Sequence, residues 1–150
     1  MSDVKPAPKL ADWMQDHMRR YLATDGADGH MWQPPRPELP PVATLLLTTK
    51  GRRSGEPFTT PLIYGNEGNN FVVIASKGGA PAHPGWYLNL EAQPEVEVQV
   101  KARRFKARAR NATGAERGPL WNKLVAAFAP YADYQKKTER EIPVVVLEPV

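Results

Sequence analysis

Two periods of apolar residues run through this chain and divide it into helices and strands. From Lys9 to Leu22, the residues Leu10, Trp13, Met14, Met18, Tyr21 and Leu22 recur at helical spacing, with Asp12 early and Arg19 and Arg20 late, as a helix dipole prefers. The spacing predicts an amphipathic helix over residues 9–22 whose apolar face packs on the body of the protein, contact with a lipid surface being the alternative. Asp25-Gly-Ala-Asp-Gly29 is turn chemistry, and His30-Met-Trp32 leads into a proline-rich connection laid over the core. Val42 to Thr49 is a run of Val, Leu and Thr that stops at Lys50-Gly51, and it reads as a strand buried on both faces. Phe58 to Tyr64 is the next strand, joined to the first by the hairpin loop Gly51 to Pro57. A turn at Asn66-Glu-Gly-Asn-Asn70 precedes a third strand, Phe71 to Ser76.

After Lys77-Gly-Gly79 a short helix is expected over Pro84 to Ala92, ended by Pro94. Glu95 to Val100 alternates polar residues with Val96, Val98 and Val100, and Phe105, Ala107 and Ala109 alternate with Lys106, Arg108 and Arg110, so both are half-exposed strands. Thr113-Gly-Ala-Glu116 has the capping-box pattern and opens a helix carrying Leu120, Trp121, Leu124, Val125 and Phe128. Pro130 interrupts it, Tyr131 and Tyr134 share a face of a second short helix, and Ile142 to Leu147 is the last strand. Hairpin-linked strands with helices before, between and after exclude a doubly wound parallel sheet, whose strands need crossover connections. The expected fold is mainly β with packed helices, an antiparallel barrel.

With 150 residues the chain is one compact unit. No cysteine is present, which removes disulfides, thiolate metal sites and cysteine nucleophiles, and no run approaches the ~20 apolar residues of a membrane span. The first ten residues lack the apolar core of a secretory signal, so a cytoplasmic location is the default expectation, with membrane association through the first helix as the variant. A formal net charge of +4 favours anionic partners without choosing among them, so charge location matters more than charge total.

Two joints combine glycine with fixed positive charge. In Gly51-Arg-Arg-Ser-Gly55 the arginine forks suit phosphate or carboxylate, the serine adds a donor and the glycines let backbone amides approach. Ser76-Lys-Gly-Gly79 adds a point charge and a stretch of backbone able to pass close along a flat ring. A solvated hairpin tip and a plain turn are the competing readings. Trp86 and Asn89 stand three apart on one helix, so an aromatic wall and an amide can face one ligand, unless the tryptophan is simply core. His17 borders the apolar stripe of the first helix and reads as structural, because no second histidine stands at metal-ligand spacing. No nucleophile elbow, zinc-protease motif, Walker loop or dinucleotide fingerprint is present. An enzyme built this way leaves the bond changes to a bound cofactor. Lys101 to Arg110 holds six basic residues and Phe105; a nucleic-acid module there is an alternative to the favoured reading, a charged outer face on an edge strand.

LLLTTKGRRSGEP, ASKGGAPAHPGWYLNLEAQPEVEVQV, ARNATGAERGPLW and YADYQKKTEREIPVVVLEP, in this order, resemble the deazaflavin-dependent nitroreductase and quinone reductase family. The resemblance spans Gly26 to Pro149 and does not extend through the first helix. It implies a split antiparallel β-barrel of the flavin-reductase or FMN-binding type at residues 26–150, preceded by an amphipathic helix at 1–25, with the reduced deazaflavin coenzyme F-420 as ligand. In such a family Arg52, Arg53 and Ser54 would hold the anionic phosphate and glutamyl arm. Ser76, Lys77 and Gly78 would line the ring and its linker, Pro61, Ala75 and His83 would join them in binding the coenzyme, and Trp86 and Asn89 would come from the neighbouring helix. Tyr131 and Tyr134 match acceptor-pocket tyrosines, and a hydroxyl from Tyr131, Tyr134 or Ser76 would orient the acceptor or steady a developing oxyanion.

Two departures stand out: Phe58 occupies a position where many members carry a basic residue, and Phe128 one where a nitroreductase relative has a further tyrosine. The reading that follows is hydride transfer from the reduced coenzyme to a quinone, with nitroaromatics as a side activity and no metal or nucleic acid. The same barrel carrying FMN or haem is the alternative.

Overall fold

The computed structural model describes residues 4–150, so the beginning of the stretch read above as lacking a secretory signal, residues 1–3, lies outside them. Its elements run α1 (Asp12–Thr24), β1 (Met31–Trp32), β2 (Val42–Lys50), β3 (Pro57–Ile63), β4 (Gly65–Glu67), β5 (Asn70–Ile74), α2 (Gly85–Ala92), β6 (Glu95–Val100), β7 (Arg103–Asn111), α3 (Arg117–Ala127), α4 (Pro130–Lys136) and β8 (Val144–Pro149). The strands are antiparallel throughout, in the order β1-β2-β6-β7-β8-β5-β4, with β3 on the other edge of β2.

Only Tyr64 separates β3 from β4, and this pair acts as one long arm. Its first part lies on β2, from Lys50↔Pro57 to Thr44↔Ile63, and its second part on β5, from Gly65↔Val72 to Glu67↔Asn70, so it bridges the two ends of the sheet. The result is a split antiparallel barrel with helices packed on it, as expected.

Period-two alternation sorts the side chains. Leu45 and Leu47 of β2, Phe71 and Val73 of β5 and Val145 and Leu147 of β8 point one way, into a cluster shared with Trp86, Tyr87 and Leu90 of α2. Val72, Ile74, Val144 and Val146 point the other way, under Leu120 and Leu124 of α3 and under Phe128 and Tyr131. Both faces of β5 and β8 are therefore covered, which is why these strands read as unbroken apolar runs. Helix α1 sits on the barrel through Met18, Tyr21 and Leu46. The Tyr21 hydroxyl donates to the Thr44 carbonyl (3.0 Å) and accepts from the Lys101 amide (2.8 Å), tying the helix to β2 and to the β6–β7 turn. Among the described residues no helix is long and apolar enough to cross a membrane.

Three sequence expectations change. The basic strand β7 is not an edge: it pairs β6 on one side and β8 on the other, because the C-terminal strand returns to fill that side. Its outer cations face acidic neighbours across the β6 register, Lys106 opposite Glu97 and Arg108 opposite Glu95, so the charged alternation serves cross-strand pairing. The capping box at Thr113 is not used: Thr113 makes no side-chain cap, and Glu116 is drawn into two hydrogen bonds from Arg110 (2.6 and 2.8 Å) at the entry to α3. A two-way charge-assisted pair outcompetes one hydrogen bond to a backbone amide. Finally, β1 and β4 form inside stretches read as loop and turn, because a neighbouring strand offers each a partner.

Candidate functional site

Both glycine-basic joints open onto one cleft of about 1020 Å³. Arg52, Arg53, Ser54 and Pro61 line it from the β2–β3 hairpin, and Ser76, Lys77, Gly78 and His83 from the connection after β5. Trp86 and Asn89 of α2 and Tyr131 and Tyr134 of α4 complete the set. Ala75 stands apart: it is fully buried in the barrel core and turns its carbonyl to the Arg140 guanidinium (3.3 Å).

The arginine loop is held in shape by its own backbone. The Gly51 amide donates to the Glu56 carbonyl (2.7 Å), the Gly55 amide to the Gly51 carbonyl (2.8 Å), and the Glu56 amide to Ser54 Oγ (3.1 Å). Ser54 Oγ thus accepts within the turn and keeps its own proton free to donate outward. Asn89, 6% exposed, reaches up from α2 so that its Oδ1 accepts from both the Arg52 amide (3.1 Å) and Arg52 Nη1 (2.8 Å), while its Nδ2 donates to Thr49 Oγ1 (3.2 Å). Asn89 thereby aims Arg52, and it also lines the cleft. Arg53 and Lys77 are exposed and have no carboxylate partner among the described residues.

The second jaw is built from left-handed backbone: Lys77, Gly78 and Gly79 have φ of 48°, 63° and 83°. A Cβ on Gly78 would meet nothing within 4 Å, whereas one on Gly79 would lie 2.6 Å from the Tyr134 carbonyl oxygen. Glycine at 79 therefore lets this loop touch α4, and glycine at 78 leaves room on the cleft side. Arg140 clamps the loop by donating to the carbonyls of Ser76 (2.8 Å), Ala80 (2.9 Å) and Ala75 and to His83 Nδ1 (3.0 Å). Since a guanidinium only donates, His83 Nδ1 accepts, and a neutral ring carries its proton on Nε2. Nothing in the sequence marked Arg140, because it follows α4 and reaches its partners only through tertiary folding.

An aromatic wall closes the opposite side. Phe128 contacts Tyr131 edge-on at 5.0 Å and Trp32 at 6.2 Å, and Trp32 stacks on Trp13 at 5.5 Å with an interplanar angle of 13°. Tyr131 and Tyr134 lie 6.2 Å apart, and neither hydroxyl has a hydrogen-bond partner within the protein among the described residues. Burial, and then its tyrosine neighbour, pushes the Tyr131 phenol well above the usual range, so it stays a protonated donor. Trp13, Met14 and His17 of α1 and Trp32 of β1 also line the cleft, although the sequence reading gave them no site role. His17 is the structural histidine expected, buried and within 3.3 Å of Thr44 Oγ1.

Residues 13–149 match the model of a family described as F420H(2)-dependent quinone reductase. The chain belongs to this family. It is 40% identical over 134 residues, covering 87% of this chain and 86% of the relative, to an F420H(2)-dependent quinone reductase of Mycobacterium tuberculosis. Among solved structures, one described as an F420-H2 dependent reductase is 42% identical, with a TM-score of 0.66 over 70% of this chain and 93% of that one. Another, described as a domain-swapped dimer, is 38% identical, with a TM-score of 0.68 over 91% of this chain and 98% of that one. The family match begins at Trp13 and so takes in most of α1, where the motif resemblance began only at Gly26.

The donors present fit the reduced deazaflavin coenzyme of this family. The cleft lining includes Lys9, Arg52, Arg53 and Lys77 and, among the described residues, no Asp or Glu, which suits an anionic arm. Phe58 also lines the cleft. The open backbone at Gly78 and the apolar walls suit a flat ring.

Proposed function

We propose that this chain catalyses hydride transfer from the reduced coenzyme F-420 to a quinone. The observation that carries the reading is one cleft joining both cationic glycine loops to a pair of tyrosines whose hydroxyls have no partner among the described residues, with no carboxylate in the cleft lining among those residues. The coenzyme supplies the hydride when bound. Arg52, Arg53 and Lys77 would take the negative charges of its arm, and Asn89 keeps Arg52 aimed by gripping both its amide and its guanidinium. Ser54 adds a hydroxyl donor, and the glycines after Lys77 let the backbone lie close to the ring. Pro61, Trp86 and the aromatic wall exclude water from the reacting face.

As the quinone accepts the hydride, charge develops on its carbonyl oxygen. A hydroxyl of Tyr131, Tyr134 or Ser76 donates to that oxygen, and solvent delivers the proton that completes the hydroquinone. Tyr131 holds its own proton, because burial disfavours the phenolate. Nitroaromatics are expected to be slower acceptors, since Phe128 gives the wall an edge-on ring where a hydroxyl would otherwise stand. Trp13, 53% exposed and part of the cleft lining, places apolar surface at the cleft that suits contact with a lipid surface from which an apolar quinone would enter.

Titration of the purified protein with the coenzyme, read by coenzyme fluorescence, tests the arm site, and loss of the reduced coenzyme on adding a quinone tests the reaction. Changing both Arg52 and Arg53 to Ala should weaken binding at least tenfold, since each charge-assisted hydrogen bond contributes roughly 1.5 to 3 kcal/mol. Absence of binding by the unaltered protein would sink the assignment.

A further inference from the structure

Arg140 is half-buried and is not part of the cleft lining, and its guanidinium is used up inside the protein. Nε donates to the Ala80 carbonyl (2.9 Å), Nη2 to the Ser76 carbonyl (2.8 Å), and Nη1 to both the Ala75 carbonyl (3.3 Å) and His83 Nδ1 (3.0 Å). Three carbonyls and one ring nitrogen thus take up most of the N–H groups that a guanidinium offers, so this arginine is no anchor for a ligand anion. Its own backbone is braced from α4: Gln135 Nε2 donates to the Arg140 carbonyl (2.8 Å), and Gln135 Oε1 accepts from the Ile142 amide (2.9 Å).

Of these partners only Ser76 and His83 reach the cleft, and His83 is the one whose chemistry the contact decides. Its ring lies 4.7 Å from that of Tyr87, which is fixed in turn by a hydroxyl placed between Glu91 Oε2 (3.1 Å) and Asn111 Oδ1 (3.0 Å). Packing on Tyr87 therefore sets where the imidazole stands, and Arg140 sets which nitrogen holds its proton. Because Nδ1 faces a group that only donates, the neutral ring carries its proton on Nε2. That nitrogen has no partner within the protein among the described residues, on a side chain that lines the cleft. The opposite tautomer would put a lone pair at the same point and repel an oxygen.

From this geometry we propose that Arg140 is a positioning residue that holds His83 as an Nε2–H donor, and that this donor binds an oxygen acceptor of the coenzyme. The inference rests on the deazaflavin reading above. Unlike Arg52, Arg53 and Lys77, such a donor adds no net charge, so it recognises where an oxygen stands and not how much charge the ligand carries. Carbonyl oxygens of the ring and anionic oxygens of the arm are the same chemistry to it.

The test pairs two substitutions at His83 with one at Arg140. His83→Gln keeps both roles, since the amide oxygen can accept from Arg140 while its NH2 donates to the cleft; His83→Leu has similar bulk and does neither. Arg140→Met removes the clamp but disturbs the whole loop, so the His83 pair carries the decision. Long-range proton–nitrogen correlation spectra of the protein without coenzyme, at about pH 8 where the ring is neutral, read the tautomer, His83 being identified by its absence from His83→Gln. The expected result is a single Nε2–H form in the unaltered protein and a mixture in Arg140→Met. In fluorescence titrations His83→Leu should bind the coenzyme about fivefold more weakly and His83→Gln within about twofold of the unaltered protein. An Nδ1–H or mixed ring in the unaltered protein would overturn the tautomer assignment. His83→Leu binding as tightly as the unaltered protein, or His83→Gln losing as much as His83→Leu, would overturn the donor role. A parallel titration with the deazaflavin ring lacking its phosphate and glutamyl arm locates the oxygen: the same loss puts it on the ring, and a loss confined to the full coenzyme puts it on the arm. Absence of binding by the unaltered protein would sink the proposed function and the donor role with it, whereas the spectra, which need no coenzyme, still decide what Arg140 does to His83.

Discussion

At the scale of single residues, Tyr131 and Tyr134 show how a shared helix face yields unequal groups. They are three apart on α4, but Tyr131 is 4% exposed and packs edge-on against Phe128, while Tyr134 is half-buried and carries Lys137 over its ring. Burial raises the Tyr131 pKa, which stabilises the donor form and removes the phenolate from the working range. Tyr131→Phe and Tyr134→Phe should each lower kcat for quinone, by about tenfold or more for whichever hydroxyl meets the oxyanion, while coenzyme affinity stays unchanged. A rate that depends on the Tyr131 hydroxyl should show no loss up to about pH 10, the ordinary tyrosine range, because that buried phenol ionises only above it. Steady-state kinetics across pH for both variants would check this, and an unchanged kcat in the double variant would leave Ser76 as the donor.

At the scale of elements, the connection after β5 is shaped by two glycines with different tasks. A Cβ at 79 would collide with the Tyr134 backbone at 2.6 Å, and φ there is +83°, so Gly79→Ala forces α4 to move. Gly78→Ala meets nothing nearby in the protein and costs about 1 kcal/mol for its left-handed backbone. Gly79→Ala should lower Tm much more than Gly78→Ala and raise the quinone KM, whereas Gly78→Ala should chiefly weaken coenzyme binding, where its new methyl competes with the ring. Thermal unfolding and coenzyme titration on the two variants separate these effects; equal losses of stability would remove the argument that Gly79 exists to seat α4.

At the scale of the whole molecule, α1 belongs to the site as well as to the core. Its His17 is buried, burial and then the Arg20 cation lower its pKa, and Thr44 Oγ1, which donates to the Gly29 carbonyl at 2.7 Å, accepts from its Nε2. His30, 2.9 Å from the Tyr64 hydroxyl, is lowered too, by burial and then by Lys101. With folded pKa values below the unfolded one, the unfolded chain binds more protons as pH falls through about 6.5, so stability is full above that pH and declines below it. Thermal unfolding should show Tm falling between pH 7.5 and pH 5, and His17→Gln should flatten that slope. A slope unchanged by the substitution would place the acid sensitivity elsewhere.

Local pattern carried much of this protein. Periods of two and of three to four located the main strands and helices, and the glycine-flanked cations marked both loops of the cleft, because turn chemistry and charge are properties of short segments. What local pattern could not carry was adjacency. That β7 lies inside the sheet depends on where β8 returns, that Glu116 serves Arg110 instead of a helix cap depends on the same packing, and Arg140, Trp13 and Trp32 reach the cleft only when distant elements meet. A contact between residues far apart in the chain leaves no periodic trace in either segment. The sequence by itself therefore determined the main strands, the helices and the two charged glycine loops, while the tertiary structure alone decided the short strands β1 and β4 and that those loops face each other across one cleft.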